Sequence, residues 1–148
     1  MSKITILKTE IQNDPLAKGY SSMSDQEIVD SINLKNRSKF VEISSQELLA
    51  WSANNGRLAK IKNAINNGAD DVVKSLAEAA YLLITRDDTS LDLNLTDRVA
   101  MLDALVSYAV LIPDDKTSLQ ALATVSISRA EELDIGLVRA GDVLQARL

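Results

Sequence analysis

The stretch Asp70-Asp71-Val72-Val73-Lys74-Ser75-Leu76-Ala77-Glu78-Ala79-Ala80-Tyr81-Leu82-Leu83-Ile84 decides the fold class. Val72, Val73, Leu76, Ala79, Ala80, Leu83 and Ile84 recur at spacings of three and four, the period of a helix rather than the alternation of a strand. The apolar stripe is wider than one packing partner needs, which makes this helix central. Asp70-Asp71 opens it. Downstream, Thr96 to Ile112 repeats the pattern with Val99, Leu102, Leu105, Val106, Ala109 and Val110, and Pro113 is placed to end it. Segments 71–84 and 96–112 are expected to form the core pair.

The same periodicity extends outward in both directions. Met23-Ser24-Asp25-Gln26-Glu27-Ile28 is a capping box: Ser24 caps the Glu27 amide, Glu27 reaches back to the Ser24 amide, and Met23 staples onto Ile28. Ile43-Ser44-Ser45-Gln46-Glu47-Leu48 repeats it. Helices are predicted at 3–13, 25–34 and 45–54, then at 57–66 with Leu58, Ile61 and Ile65 on one face. From Thr117 to Leu133 the apolar positions Leu119, Leu122, Ala123, Ala130 and Leu133 keep helical period. Gly136 follows as a stop, and a last short helix is predicted at 142–147. Between 34 and 43 the pattern is not helical and reads as an extended link, too short and isolated for a sheet. The expectation is an all-α fold: a single compact domain of six to eight short helices, with any strand pairing confined to 34–43 or 137–139. Within it, 1–67 would hold the N-terminal helices and basic link, and 68–148 the acidic core helices.

Composition removes whole classes of function. The 148 residues include no histidine and no cysteine. That excludes a Ser-His-Asp triad, a thiol nucleophile, an imidazole base, the usual zinc sites and any disulfide framework. Neither Gly-x-Gly-x-x-Gly nor Gly-x-x-x-x-Gly-Lys occurs, so no standard phosphate cradle is encoded and no cofactor is expected. No apolar run approaches the ~20 residues that span a bilayer, and the start lacks the long apolar segment of a signal peptide. Synthesis in a cytoplasm is expected.

The most metal-like stretch, Asp87 to Asn94, fails the calcium-loop pattern: Leu93 stands where the turn needs glycine, and Val99 where a bidentate glutamate belongs. It reads as a polar connection between helices, as does Asp114-Asp115. A helix-turn-helix reading of 119–145 founders on Glu131, Glu132, Asp134 and Asp142, which surround Arg129, Arg139 and Arg147. Ser128-Arg129-Ala130-Glu131 fits equally inside one amphipathic helix. The cluster Lys35, Arg37 and Lys39 is a better electrostatic feature, although aromatic platforms for single-stranded nucleic acid are scarce. Residues 1–67 carry nine basic and seven acidic side chains, and 68–148 seven and fourteen, giving +2 and −7. Such a split could drive head-to-tail contacts between identical subunits, but simple surface solvation is the plainer reading. Trp51, the sole tryptophan, reads as a core residue, with an interface anchor as the alternative.

Three stretches carry a resemblance: Leu7-Lys8-Thr9-Glu10-Ile11, Asp14-Pro15-Leu16-Ala17-Lys18-Gly19-Tyr20-Ser21-Ser22-Met23-Ser24-Asp25, and Ser128 through Val143. They resemble a family of small proteins of tailed bacteriophages, encoded among virion and tail genes. That family commonly reads DPLGRGY(S/A)GM(S/T)D near its start and SRAEELGLGxVRxGDVxxAR at its end. This chain departs with Ala17-Lys18 for Gly-Arg, Ser22 for Gly, and Asp134-Ile135 for Gly-Leu. The match covers the two ends, about a third of the chain.

The resemblance implies a structural or assembly component of a phage virion, in the tail or at the head-tail neck, with no catalytic residue, cofactor or metal. Its partners would be copies of itself, in a ring or other homo-oligomer, and neighbouring virion proteins. Neither membrane nor nucleic acid enters that expectation. A soluble accessory protein that binds a host or phage protein outside the particle is the alternative. Candidate interface residues are Lys35, Arg37, Lys39, Trp51, Asp14, Pro15, Gly19, Tyr20, Arg139 and Asp142. Asp14 is expected to cap a short turn with Pro15 at its first position and Gly19 leaving it.

Overall fold

The computed structural model describes residues 1–68 and 70–148. Helices dominate, so the fold is all-α with short strands as minor elements. In order these are α1 (Lys3–Asn13), a 3-10 turn (Tyr20–Ser22), α2 (Asp25–Asn33), β1 (Arg37–Phe40), β2 (Ile43–Ser44) and α3 (Ser45–Ala53). A second 3-10 turn (Asn54–Gly56) leads to α4 (Arg57–Asn67), α5 (Asp71–Thr85), β3 (Ser90–Leu91), α6 (Thr96–Ser107) and α7 (Pro113–Ala123). The chain closes with β4 (Thr124–Ile127), the one-turn α8 (Arg129–Glu132) and α9 (Ala140–Arg147).

Helix starts follow the side chains that satisfy orphan amides. Both capping boxes form: Ser24 Oγ accepts from the Glu27 amide at 3.2 Å while Glu27 accepts from the Ser24 amide at 2.6 Å. Ser44 and Glu47 do the same at 3.2 and 3.0 Å. Asp70 accepts from the Val73 amide at 2.9 Å to start α5. A third box, Ser128 with Glu131, starts α8. Here the structure departs from the sequence pattern. Thr117 to Leu133 is not one helix: α7 stops at Ala123, β4 intervenes, and Ser128 is a cap rather than a mid-helix residue. Pro113 does not end the preceding helix. That helix stops at Ser107, followed by Ala109 at φ 57°, and Pro113 opens α7, where a missing N–H costs nothing.

Strand pairing also exceeds the expectation. The extended link at 34–43 contains β1, which pairs with β4, and Ile43-Ser44 pairs antiparallel with Ser90-Leu91. No strand forms at 137–139. The link found partners because residues distant in sequence supply them, a signal local periodicity does not contain.

The chain folds as two compact units, each with its own core. They do not divide near residue 67. One comprises Met1–Lys39 with Ser126–Leu148, and the other Phe40–Val125. In the central unit α5 packs most extensively on α4, with further contacts to α3 and α6, so the expected α5–α6 pair is one side of a larger cluster. Ala77, Ala80 and Ile84 face inward while Val72 is largely exposed and Leu83 half-buried. Within this core Arg57 Nε donates to Asp115 at 2.7 Å, and both side chains are buried. Burial pushes the Asp115 carboxyl up, but the Ile112 amide and the guanidinium outweigh it and hold the group below its ordinary value. The pair ties the start of α4 to the start of α7.

Candidate functional site

The second unit is built from both chain ends, and it contains the motif stretches. Leu7 and Ile11 of α1, Ile28 and Ile32 of α2, and Val143 and Ala146 of α9 form its core with Tyr20, Ala130, Ile135 and Val138. Met23 packs on the cluster that includes Ile28, as the staple requires. Val138 is fixed by Asn33, whose side chain donates to the Val138 carbonyl at 2.8 Å and accepts from its amide at 3.0 Å. Asn33 thus imitates a strand neighbour for an isolated residue, which answers the backbone's need for partners without a sheet.

A row of charges runs over this core. Glu10 is 4% exposed and accepts from Arg129 through both oxygens at 2.8 Å, a fork geometry that only arginine supplies. Arg129 also donates to Glu132 at 2.9 Å, and Glu132 accepts bidentately from Arg37. The Arg37 and Arg129 hydrogen bonds pull the Glu132 carboxyl down to about 2. Hydrogen bonding to Glu10 raises the Arg129 guanidinium further above its already high value. Glu131, which completes the capping box with Ser128, lies 3.4 Å from Lys35. At the other end of the unit Lys3 pairs with Asp142 at 2.7 Å and donates to the Leu137 carbonyl at 2.6 Å. Arg147 donates to Asp25 at 2.6 Å and to the carbonyls of Tyr20 and Met23 at 3.1 and 2.6 Å. These bonds join residues more than a hundred positions apart, which is how the two ends are held as one module.

The Asp14 turn forms, with a different geometry from the expected cap. Asp14 is left-handed at φ 41°, and its carboxylate accepts from the Lys18 and Gly19 amides, each at 2.7 Å. Burial pushes this carboxyl up, but those amide hydrogen bonds win and hold it below its ordinary value. Gly19, at φ 79°, turns the chain into the 3-10 turn. Pro15 is exposed.

The candidate interface residues therefore separate. Lys35 and Arg37 are engaged by Glu131 and Glu132 of their own chain, whereas Lys39 is exposed with no ion pair among the described residues. Tyr20 is a core residue, 1% exposed, and its hydroxyl is pushed up by burial and then by the Glu10 and Asp14 charges. Asp142 accepts from the Arg139 amide at 2.9 Å in addition to binding Lys3, while the Arg139 side chain is exposed. Trp51 belongs to the central unit, where Arg57 stacks 4.6 Å from its ring centroid. Sequence reasoning missed Glu10, Arg129, Glu132 and Arg147 as the groups that assemble the module. One signal was present: Leu7, Glu10 and Ile11 lie at helical spacing on one face, so a carboxylate sits on a buried stripe and requires a partner.

The Asp87–Asn94 connection uses its acids locally, Asp88 on Arg86 and Asp92 on the Asn94 amide. Among the described residues no helix is long and apolar enough to cross a membrane. Comparison with protein-family models, with curated proteins and with solved structures gives no match.

Proposed function

We propose that this chain is a structural or assembly component of a tailed-bacteriophage virion, in the tail or at the head-tail neck. In this reading it works by contact with copies of itself and with neighbouring virion proteins, not by catalysis. One observation carries the proposal. The three stretches that resemble the phage family, Leu7–Ile11, Asp14–Asp25 and Ser128–Val143, meet in a single module whose motif residues Asp14, Arg129 and Asp142 are committed to internal hydrogen bonds and ion pairs. Residues spent on holding a fold suit a building block whose outer surface does the work.

The intramolecular pairs narrow the contact surface. Lys35 and Arg37 already have carboxylate partners, so a salt-screened contact through the basic link reduces to Lys39, with the exposed Arg139, Pro15, Ala17 and Lys18 as further candidates. Mass spectrometry of gradient-purified particles from a host producing this chain tests the proposal. A stoichiometric signal is expected. Absence from the particle, with the protein present in the lysate, overturns it in favour of an accessory protein.

A further inference from the structure

Two surfaces of this chain complement each other. The first is the outward side of α9 and of the residues that lead into it. Val138 is buried, so its extended neighbours Leu137 and Arg139 point away from the core. Helical spacing then carries the outward face through Ala140, Gly141, Leu144 and Leu148. Leu137, Leu144 and Leu148 are 67%, 57% and 89% exposed. Gly141 has nothing within 4 Å of where a Cβ would stand, so a partner can approach the helix closely. Of the ionised side chains from 137 to 148, Asp142 is held by Lys3 and Arg147 by Asp25, whereas Arg139 is in no ion pair among the described residues. The result is an apolar ridge with one free positive charge at its start.

The second surface is a groove of about 680 Å3, lined by Val72 and Leu76 of α5 and by Ala104 and Tyr108 of α6. Val72 is 60% exposed and Tyr108 49%. The half-buried Leu83 and Met101 continue the two walls at helical spacing, so α5 presents an apolar arc wider than α3, α4 and α6 cover. From Val72 to Leu83 the groove runs about 16 Å, enough for α9, whose eight residues rise about 12 Å. Asp71 also lines it, exposed and in no ion pair among the described residues. Ridge and groove thus match in length, in apolar character and in the sign of their free charges.

We propose that α9 of one copy docks in the α5–α6 groove of a second copy, with Arg139 paired to Asp71 and Leu144 and Leu148 laid along the groove. Set in this way α9 runs parallel to α5, so Leu144 falls on Leu76 and Ala104, and Leu148 lies toward Leu83. Because the two surfaces differ, a copy that gives its α9 still offers its groove, and the contact is head-to-tail. The proposal rests on the reading of this chain as a block that meets copies of itself, and it names the surfaces.

A two-turn helix covers less than the ~800 Å2 per partner of a standard interface, so the association is weak and is sought at high concentration. Sedimentation equilibrium of the full chain from about 10 μM to 1 mM should show monomer passing to dimer and larger species. Leu144→Glu on the ridge and Val72→Glu in the groove, both at exposed helix positions, should each leave circular dichroism unchanged and weaken association at least about tenfold. Mixed in equal amounts, these two variants should associate again and stop at the dimer, since one brings an intact groove and the other an intact α9. Arg139→Asp should weaken association by up to about fivefold, and adding Asp71→Arg should restore it. A monomer throughout the range, a mixture that stays monomeric, or association lost with Leu144→Glu but kept with Val72→Glu would each overturn the proposal. No particle enters this experiment, so its failure leaves presence in the virion to be decided by mass spectrometry, and absence from the particle leaves this contact standing.

Discussion

Arg129→Met isolates the interaction that holds the two ends of the chain together. In the native module Arg129 closes two 2.8 Å hydrogen bonds onto Glu10, which receives no other side-chain hydrogen bond among the described residues and is 4% exposed. Methionine keeps most of the apolar stem and removes the charge, leaving Glu10 as a buried carboxylate without a counter-ion. Breaking such a pair from one side costs about 3–5 kcal/mol, because the desolvation of the remaining charge is no longer offset. Replacing both groups by apolar residues is far cheaper, so Glu10→Leu with Arg129→Met should recover most of the loss. Amide hydrogen exchange at pH 7 is the assay, followed at Leu7 and Ile11 in α1 and at Val143 and Ala146 in α9. It reports opening of this unit in particular, which a global denaturation curve on a two-unit chain does not guarantee. The opening free energy of these amides should fall by about 3–5 kcal/mol in the single variant. A fall below ~1 kcal/mol, or a double variant no more stable than Arg129→Met, refutes the assignment of this pair as the clasp.

Two further outcomes follow from the structure. Leu105 is 3% exposed and borders an apolar void of about 30 Å3, so Leu105→Ala enlarges an existing cavity and should cost about 2–5 kcal/mol by denaturant titration of Trp51 fluorescence. Leu83, half-buried, should cost clearly less; equal costs would mean that Leu83 carries packing the structure does not give it. Glu132, held at about 2 against 4.5 unfolded, stabilises the folded state above about pH 4.5, and that contribution is lost as pH falls toward 2. Solvent screening of this partly exposed group limits it to about 1 kcal/mol. Arg37→Gln should flatten this acid limb, measured by hydrogen exchange between pH 5 and pH 3, and an unchanged slope would remove the pair from the account.

The amino-acid sequence by itself determined what is local. The period of Val72 to Ile84 specifies α5, and Ser24 with Glu27 and Ser44 with Glu47 start α2 and α3 through bonds that span three residues. Lack of histidine and cysteine removes whole chemistries without reference to shape. What only the tertiary structure decided is long-range. Ser128 is a cap because β4 pairs with β1, and local periodicity alone reads the same residues as mid-helix. Lys35 and Arg37, nominally a free basic patch, are matched by acids almost a hundred residues away. The apparent +2 and −7 halves dissolve for the same reason: the end-built unit carries nine basic and nine acidic side chains, and the central one holds the excess negative charge. Local rules act through hydrogen bonds and side-chain spacing within a turn or two, so they are legible in order along the chain. Ion pairing and burial depend on distance in space, and folding brings Glu10 to Arg129 across 119 positions that the sequence alone keeps apart.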